Sequence, residues 1–445
     1  DERNPVRIRP LGRPVMKWFA TVLLCLTCVG AAAESGPLVI RITQGVEGAL
    51  PIAIVPFEWT GAPMPEDISQ IIANDLTRSG RFKPMPRTDL PSRPTDFAQV
   101  NFKDWRTVGM DNLVVGRINA TGDGAYTVEF RLLDVFSGTQ LAGFQIPASN
   151  ANLRLTAHQI SDIIYKTLLN VPGAFSTRIA YVTVNRLDAK RSTYRLQIAD
   201  ADGYDAKTVL ESKQPLLSPA WSPDGNRLAY VSFEDRNSAV YVQDVRSGQR
   251  QKVVSGAGIN SAPAFSPDGR RLAVTRSQDG NPDIYVVDIA SGQQTRVTTS
   301  EAIDTEASWA PDGSAIVFTS DRSGGPQIYR VAPSGGEARR VTFNLGNYNA
   351  RASYSPDGRY LVMVNGGGGY RITLLDLKTG SGRRLTDSNL DESPSFAPNG
   401  SMIIYATMAG RGTELAAVSV DGSIKQRLAL QQGAVREPAW GPFRQ

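Results

Sequence analysis

Histidine and cysteine are nearly missing from these 445 residues: there is one histidine, His158, and the only cysteines are Cys25 and Cys28. So sparse a set, with both cysteines in one N-terminal apolar stretch, excludes the usual zinc sites. No Gly-x-Ser-x-Gly elbow occurs, and the one histidine lies in a helical stretch, so a serine hydrolase of that class lacks its parts here. The run Gly366–Gly369 is followed by neither Lys-Ser nor Lys-Thr, and no helix begins there. That excludes a phosphate loop and leaves a flexible hairpin turn. No basic run with interleaved aromatics is present, which argues against a nucleic-acid partner.

Long apolar runs are scarce too. Lys17 precedes the stretch Trp18–Val29, which leads through Gly30 into Ala31-Ala-Ala33. This is the pattern of a secretory signal, with an apolar core too short to span a bilayer comfortably. The reading places the natural start at Met16, treats residues 1–15 as an upstream extension and puts cleavage near Ala33. Lipidation of Cys28 is the alternative, but Cys25-Leu-Thr27 matches a lipobox poorly. After cleavage no cysteine remains, which suits an exported protein whose core needs no disulfide. Residues 1–33 hold five basic and two acidic residues, so the net charge of +5 falls to +2.

Residues 34–172 carry no repeat and alternate helical and strand periods. Ile52–Val55 and Leu113–Val115 read as buried strands, and Tyr126–Val135 with Gln140–Ile146 as a strand pair. Ile68, Ile71, Ile72 and Leu76 mark one helix over Pro65–Ser79, ended by Gly80. Leu155, Ile160, Ile163, Ile164 and Leu168 mark a second over Asn152–Leu169, stopped by Pro172-Gly173. The expectation is a small α/β domain, with His158 partly exposed on the second helix.

Beyond residue 173 one phrase returns six times, as Pro219-Ala-Trp-Ser-Pro-Asp-Gly225, Pro263–Gly269, Ala307–Gly313, Ala352–Gly358, Pro394–Gly400 and the truncated Pro438–Phe443. Its central prolines, 223, 267, 311, 356, 398 and 442, are spaced by 44, 44, 45, 42 and 44 residues. A period near 40–45 with strand-forming residues between turn signals predicts a β-propeller with four strands per blade. The first copy, Ile179–Val182, lacks an inner strand, and the last, Pro438-Ala-Trp440, has no strands after it. Placing the C-terminal strand, Ala439–Phe443, in the first blade completes both and closes a six-bladed ring. In each turn proline presets φ, aspartate bonds locally and glycine takes the left-handed conformation. The preceding aromatics, such as Trp221 and Trp309, are expected to pack between blades.

Fold alone does not decide function. The segments before the inner strands gather Asp304 and Glu306, Asp391 and Glu392, Glu437 and Glu301 at one mouth of the ring, together with Asn260, Asn347, Tyr348, Asn349, Arg351 and Arg436. They read either as a partner-docking face with an acidic mouth able to hold a cation such as calcium, or as solvated loops. A carboxylate pair for glycoside chemistry stays open among them, as does a propeller hydrolase, lyase or glycan-binding module.

The ordered set Pro51–Phe57, Arg178–Val182, Pro215–Gly225, Ala262–Gly269 and Leu390–Phe396, together with the signal and the six-bladed repeat, resembles the TolB family of the Tol-Pal system. The resemblance spans essentially the whole chain after the signal. It implies a non-enzymatic periplasmic adaptor without a cofactor, acting in outer-membrane integrity, cell division and protein import. The implied partners are the lipoprotein Pal at the propeller mouth and inner-membrane TolA at the mature N-terminus, with imported bacteriocins and other envelope proteins as further ones. Carried onto this chain, the TolA segment is Glu34, Ser35, Gly36, Pro37, Leu38, Val39, Ile40, Arg41, Ile42 and Thr43. Ile259, Asn260, Ala262 and Thr305 fall in the Pal-facing loops by position. Ile259 stands where family members can have a histidine, and Gly36-Pro37 is an insertion near the start of the TolA segment. Leu38–Ile42 alternates as a strand that can join a partner's sheet or open the α/β domain.

Overall fold

A computed structural model describes residues 48–444 except 62, 63, 123, 187, 189, 190, 411 and 429–432. The signal segment 1–33 and the stretch Glu34–Thr43 lie outside the described residues.

The α/β domain is built on β1 (Leu50–Ile54), β2 (Phe82–Pro84), β3 (Asn112–Gly122), β4 (Ala125–Asp134) and β5 (Thr139–Ser149), in the spatial order β2-β1-β3-β4-β5. β1 runs parallel to both neighbours, and β3, β4 and β5 are antiparallel. Helix α1 (Ile68–Arg78) starts at Asp67, whose carboxylate accepts from Gln70 N–H at 3.0 Å. A short helix the periodicity did not reveal, α2 (Phe102–Thr107), buries Trp105 against Leu113, Val115 and Val135. Helix α3 (Leu153–Leu169) ends on Asn170 in the left-handed conformation, φ 56°, just before Pro172. α1 and α3 cover the other face of the sheet, with Ile72, Leu76, Ile160 and Ile164 fully buried beside Ile52 and Phe130.

Six four-stranded antiparallel sheets follow. Their innermost strands are Leu216–Trp221, Asn260–Phe265, Asp304–Trp309, Tyr348–Tyr354, Asp391–Phe396 and Ala434–Trp440. The last of these pairs with β6 (Arg178–Arg186), matching Ala439 to Ala180 and Trp440 to Ile179, so the ring closes through the C-terminal strand as predicted. That strand begins five residues earlier than expected and ends at Trp440. We number the closing sheet blade 1 and continue in chain order.

The repeated turn holds each blade together and ties it to the next. In blade 2, Gly225 N–H donates to Ser222 C=O at 2.9 Å with Gly225 at φ 68°, and Asp224 accepts from Asn226 N–H at 3.0 Å. Between blades, Arg178 donates to the Gly225 carbonyl at 2.7 Å with its guanidinium over Trp221. Arg227 repeats this on Gly269 and Phe265 one blade on. Trp309 donates from Nε1 to the Ala264 carbonyl of the preceding blade at 3.2 Å. The aromatics therefore do pack between blades.

Candidate functional site

Each innermost strand contains one register shift, and at each shift stands a non-glycine residue with positive φ: Ser218 (52°), Ala262 (48°), Glu306 (57°), Arg351 (54°), Ser393 (56°) and Glu437 (50°). Left-handed backbone at a residue with a Cβ costs of order 1 kcal/mol. Here it recurs once per blade and brings these six residues to the wall of a central cavity of about 200 Å³. A bulge turns consecutive side chains away from simple alternation, which is how an innermost strand can aim one of them at the axis.

The charges at that wall are paired with one another. Arg351 Nε lies 3.1 Å from Glu306 Oε1, its Nη2 3.6 Å from Glu437, and its Nη1 donates to Ser393 Oγ at 2.7 Å. Burial pulls the Arg351 pKa down, and the Glu437, Glu306 and Glu392 carboxylates more than reverse this and hold it above its ordinary value. Glu437 accepts from Ser218 N–H. The mouth is thus not the open acidic ring expected from composition. A guanidinium occupies the place between Glu306 and Glu437 that a cation would need.

The remaining sequence candidates separate into two groups. Asn260, Asp304 and Asp391 are fully buried at the first positions of their strands, as is Asn349 at the second of its own. Asp304 accepts both its bonds from Arg322, at 2.9 and 2.8 Å; Asn260 donates to Ser238 C=O at 3.0 Å, and Asn349 donates to Gln327 Oε1 at 2.9 Å. Asp391 accepts from Ser388 Oγ. Contrary to the loop placement read from sequence, these side chains are pegs inside the blades, and Thr305, Glu306, Tyr348, Glu392, Arg436 and Glu437 also lie on strands. Only Ile259, Glu301 and Asn347 precede theirs, and all three are exposed.

Ile259 belongs to an apolar rim that composition did not single out. Ile259 is 48% exposed and Ile303, at the matching place one blade on, 49%. Phe343, Tyr370 and Met408 stand at the same end of the ring, exposed, and Tyr370 rests on Tyr348 with ring centroids 5.1 Å apart. Aligning the repeats would have found Ile303, since it precedes Asp304 as Ile259 precedes Asn260. Phe343, Tyr370 and Met408 are set by blade geometry and left no comparable signal.

Residues 38–141 match the family described as the TolB amino-terminal domain, and residues 165–444 that described as the TolB beta propeller domain. The chain belongs to the TolB family. It is 61% identical over 437 residues to the Tol-Pal system protein TolB of Thioalkalivibrio sulfidiphilus, covering 97% of this chain and 99% of that one. It is 57% identical over 428 residues to that of Nitrosococcus oceani, covering 96% and 98%. The crystal structure of TolB from Acinetobacter baumannii superposes with a TM-score of 0.83 at 43% identity, over 91% of this chain and all of that one.

In this TolB-family chain the amino-terminal domain sits at the end of the ring opposite the rim. Asn399, in the turn of blade 6, donates to Pro172 C=O at 2.9 Å, and Arg78 donates to Ala201 C=O of blade 1 at 3.3 Å. Gly80, at φ 65°, lies so close to Ile424 of blade 6 that a Cβ there would collide with that side chain. His158, expected to be partly exposed, is instead fully buried at this junction. Its Nδ1 lies 2.7 Å from Asp75, while Nε2 lies 3.9 Å from both Asp200 and Asp202 of the propeller. Burial alone would lower the His158 pKa, but the Asp75 and Asp202 carboxylates raise it above its ordinary value. Asp75, His158 and Asp202 are close enough to share an ion, but Asp75 is paired with Arg78 and Asp202 with Arg154, so an added divalent cation would meet two guanidinia.

Proposed function

We propose that the chain is a non-enzymatic periplasmic adaptor of the Tol-Pal system. It carries the outer-membrane lipoprotein Pal on the apolar rim of its propeller and engages inner-membrane TolA through Glu34–Thr43. In that role it supports outer-membrane integrity and invagination during cell division. The observation that carries this reading is the rim itself. Exposed Ile259, Ile303, Phe343 and Tyr370 form an apolar arc over blades 3 to 5, beside a polar centre whose charges are already paired. An apolar, aromatic-containing patch beside a satisfied polar centre suits protein docking better than turnover of a small substrate. The family relatives named as Tol-Pal system proteins support the choice of partner. Among the described residues no helix is long and apolar enough to cross a membrane.

The TolA arm couples to Pal only if Pal prefers one of two N-terminal states by a free-energy difference of roughly 1–3 kcal/mol. The test is a pull-down of residues 34–445 with purified Pal and with purified TolA, repeated after deletion of residues 34–43. The expected result is Pal capture by both forms and TolA capture by the longer one alone. Failure of both forms to bind Pal would remove the adaptor reading.

A further inference from the structure

Between the start of α3 and the turns of blades 1 and 2 lies a cleft of about 470 Å³, at the end of the ring away from the rim. Its walls carry the cations Arg154, Arg178, Lys207, Arg246 and Arg444 and the carboxylates Glu66, Asp200 and Asp205. The carboxylates are already engaged. Asp205 lies 2.9 Å from Lys207, Glu66 3.6 Å from Arg154, and Asp200 2.8 Å from Arg444. Neither Arg178 nor Arg246 has a carboxylate within ion-pair distance among the described residues.

Arg178 spends one N–H on the Gly225 carbonyl and lays its plane on Trp221, which fixes it in place. Burial first, and then the neighbouring cations Arg444 and Arg246, hold its pKa below the ordinary arginine value. A cleft with two surplus guanidinia, one of them immobilised, lacks an anion. Its lining also includes the apolar side chains of Leu155, Ile198, Val209 and Val245. We propose that this cleft binds a small organic anion, a phosphate monoester or carboxylate, whose charged group lies against Arg178 and Arg246 and whose body rests on Ile198, Val209 and Val245.

The test is calorimetric titration of residues 34–445 with glycerol phosphate and with inorganic phosphate, against chloride at matched ionic strength. Sedimentation with phosphatidic acid vesicles, whose headgroup is a phosphate monoester, runs in parallel. Saturable binding that weakens at least about tenfold in Arg246→Ser is expected, the change for losing one charged hydrogen-bond donor. Arg246 is exposed, so this variant keeps the fold even if Arg178→Met, which also strips a contact from Trp221, does not. Glycerol phosphate binding without vesicle binding identifies a soluble ligand. Vesicle binding that glycerol phosphate displaces identifies a lipid headgroup; either supports the site. Heats equal to those of chloride, or an affinity unchanged in Arg246→Ser, would overturn it.

Discussion

Glu306 of blade 4 grips Arg351 of blade 5 at two points. Its Oε1 lies 3.1 Å from the Arg351 guanidinium, and its Oε2 accepts from the Arg351 backbone N–H at 3.1 Å. One carboxylate thereby fixes both the side chain and the left-handed backbone of its neighbour, and Arg351 in turn reaches Ser393 and Glu437.

Replacing Arg351 with methionine should therefore leave two carboxylates without their counter-charge. We expect a loss of about 1–3 kcal/mol, below the cost of breaking a fully buried pair because these groups keep some solvent contact. Adding Glu306→Gln should recover part of it. Urea unfolding of the two single variants and the double variant measures the coupling.

The ring closes through Trp440, whose backbone N–H donates to Ser395 Oγ and whose Nε1 donates to Thr177 Oγ1, each at 2.9 Å. Trp440→Ala should cost about 3 kcal/mol through lost packing. Trp440→Phe, which keeps most of the ring and loses one hydrogen bond, should cost nearer 1 kcal/mol. Equal losses in the two variants would show that packing plays no part in the closure.

His158 makes stability depend on pH at the junction of the two domains. Its folded pKa is raised, so its contribution is complete below the ordinary imidazole value of 6.5 and is lost as pH rises through the folded value. Asp75 behaves oppositely. Burial would raise its pKa, but His158 and Arg78 hold it below 3.8, so its contribution is present above that value and lost as pH falls through the folded one. These two groups together stabilise the junction most between about pH 4 and 6.5. Denaturation midpoints measured across pH 4–9 should decline on the alkaline side. His158→Gln should flatten that decline.

On the rim, Ile259→Ser combined with Ile303→Ser should weaken Pal binding at least about tenfold if these side chains are among the anchors of the interface. Both are about half exposed, so stability should change by no more than about 0.5 kcal/mol. Surface-immobilised Pal and a thermal melt read the two quantities separately.

The blade count and the closing strand were legible because Ser-Pro-Asp-Gly recurs with a fixed spacing and its chemistry is local. The placement of Asp304 and Asp391 was not. A one-residue bulge in each innermost strand decides which side chain meets the axis, and nothing in the residue names announces it. Ala262, Glu306 and Arg351 share that backbone without sharing any property. The burial of His158 is hidden in the sequence for a related reason. Leu153, Ala157, Ile160 and Ile164 mark the side of α3 that meets the sheet, while Leu155, read from sequence as part of that face, lines the cleft toward the propeller, and Ser161 and His158 are buried as well. Polar burial of that kind depends on Asp75, 83 residues away, and on carboxylates of the next domain.

Six bulges of one shape, filled by serine, alanine, glutamate, arginine, serine and glutamate, make the hub of the ring a set of sockets that do not dictate their contents. Glu306 and Glu437 also hold the backbone N–H groups of Arg351 and Ser218, whereas at Ala262, whose methyl group holds nothing, a substitution changes what the axis presents without redirecting the chain. An engineer can install a recognition element at Ala262, whose methyl group makes the least demand on its neighbours.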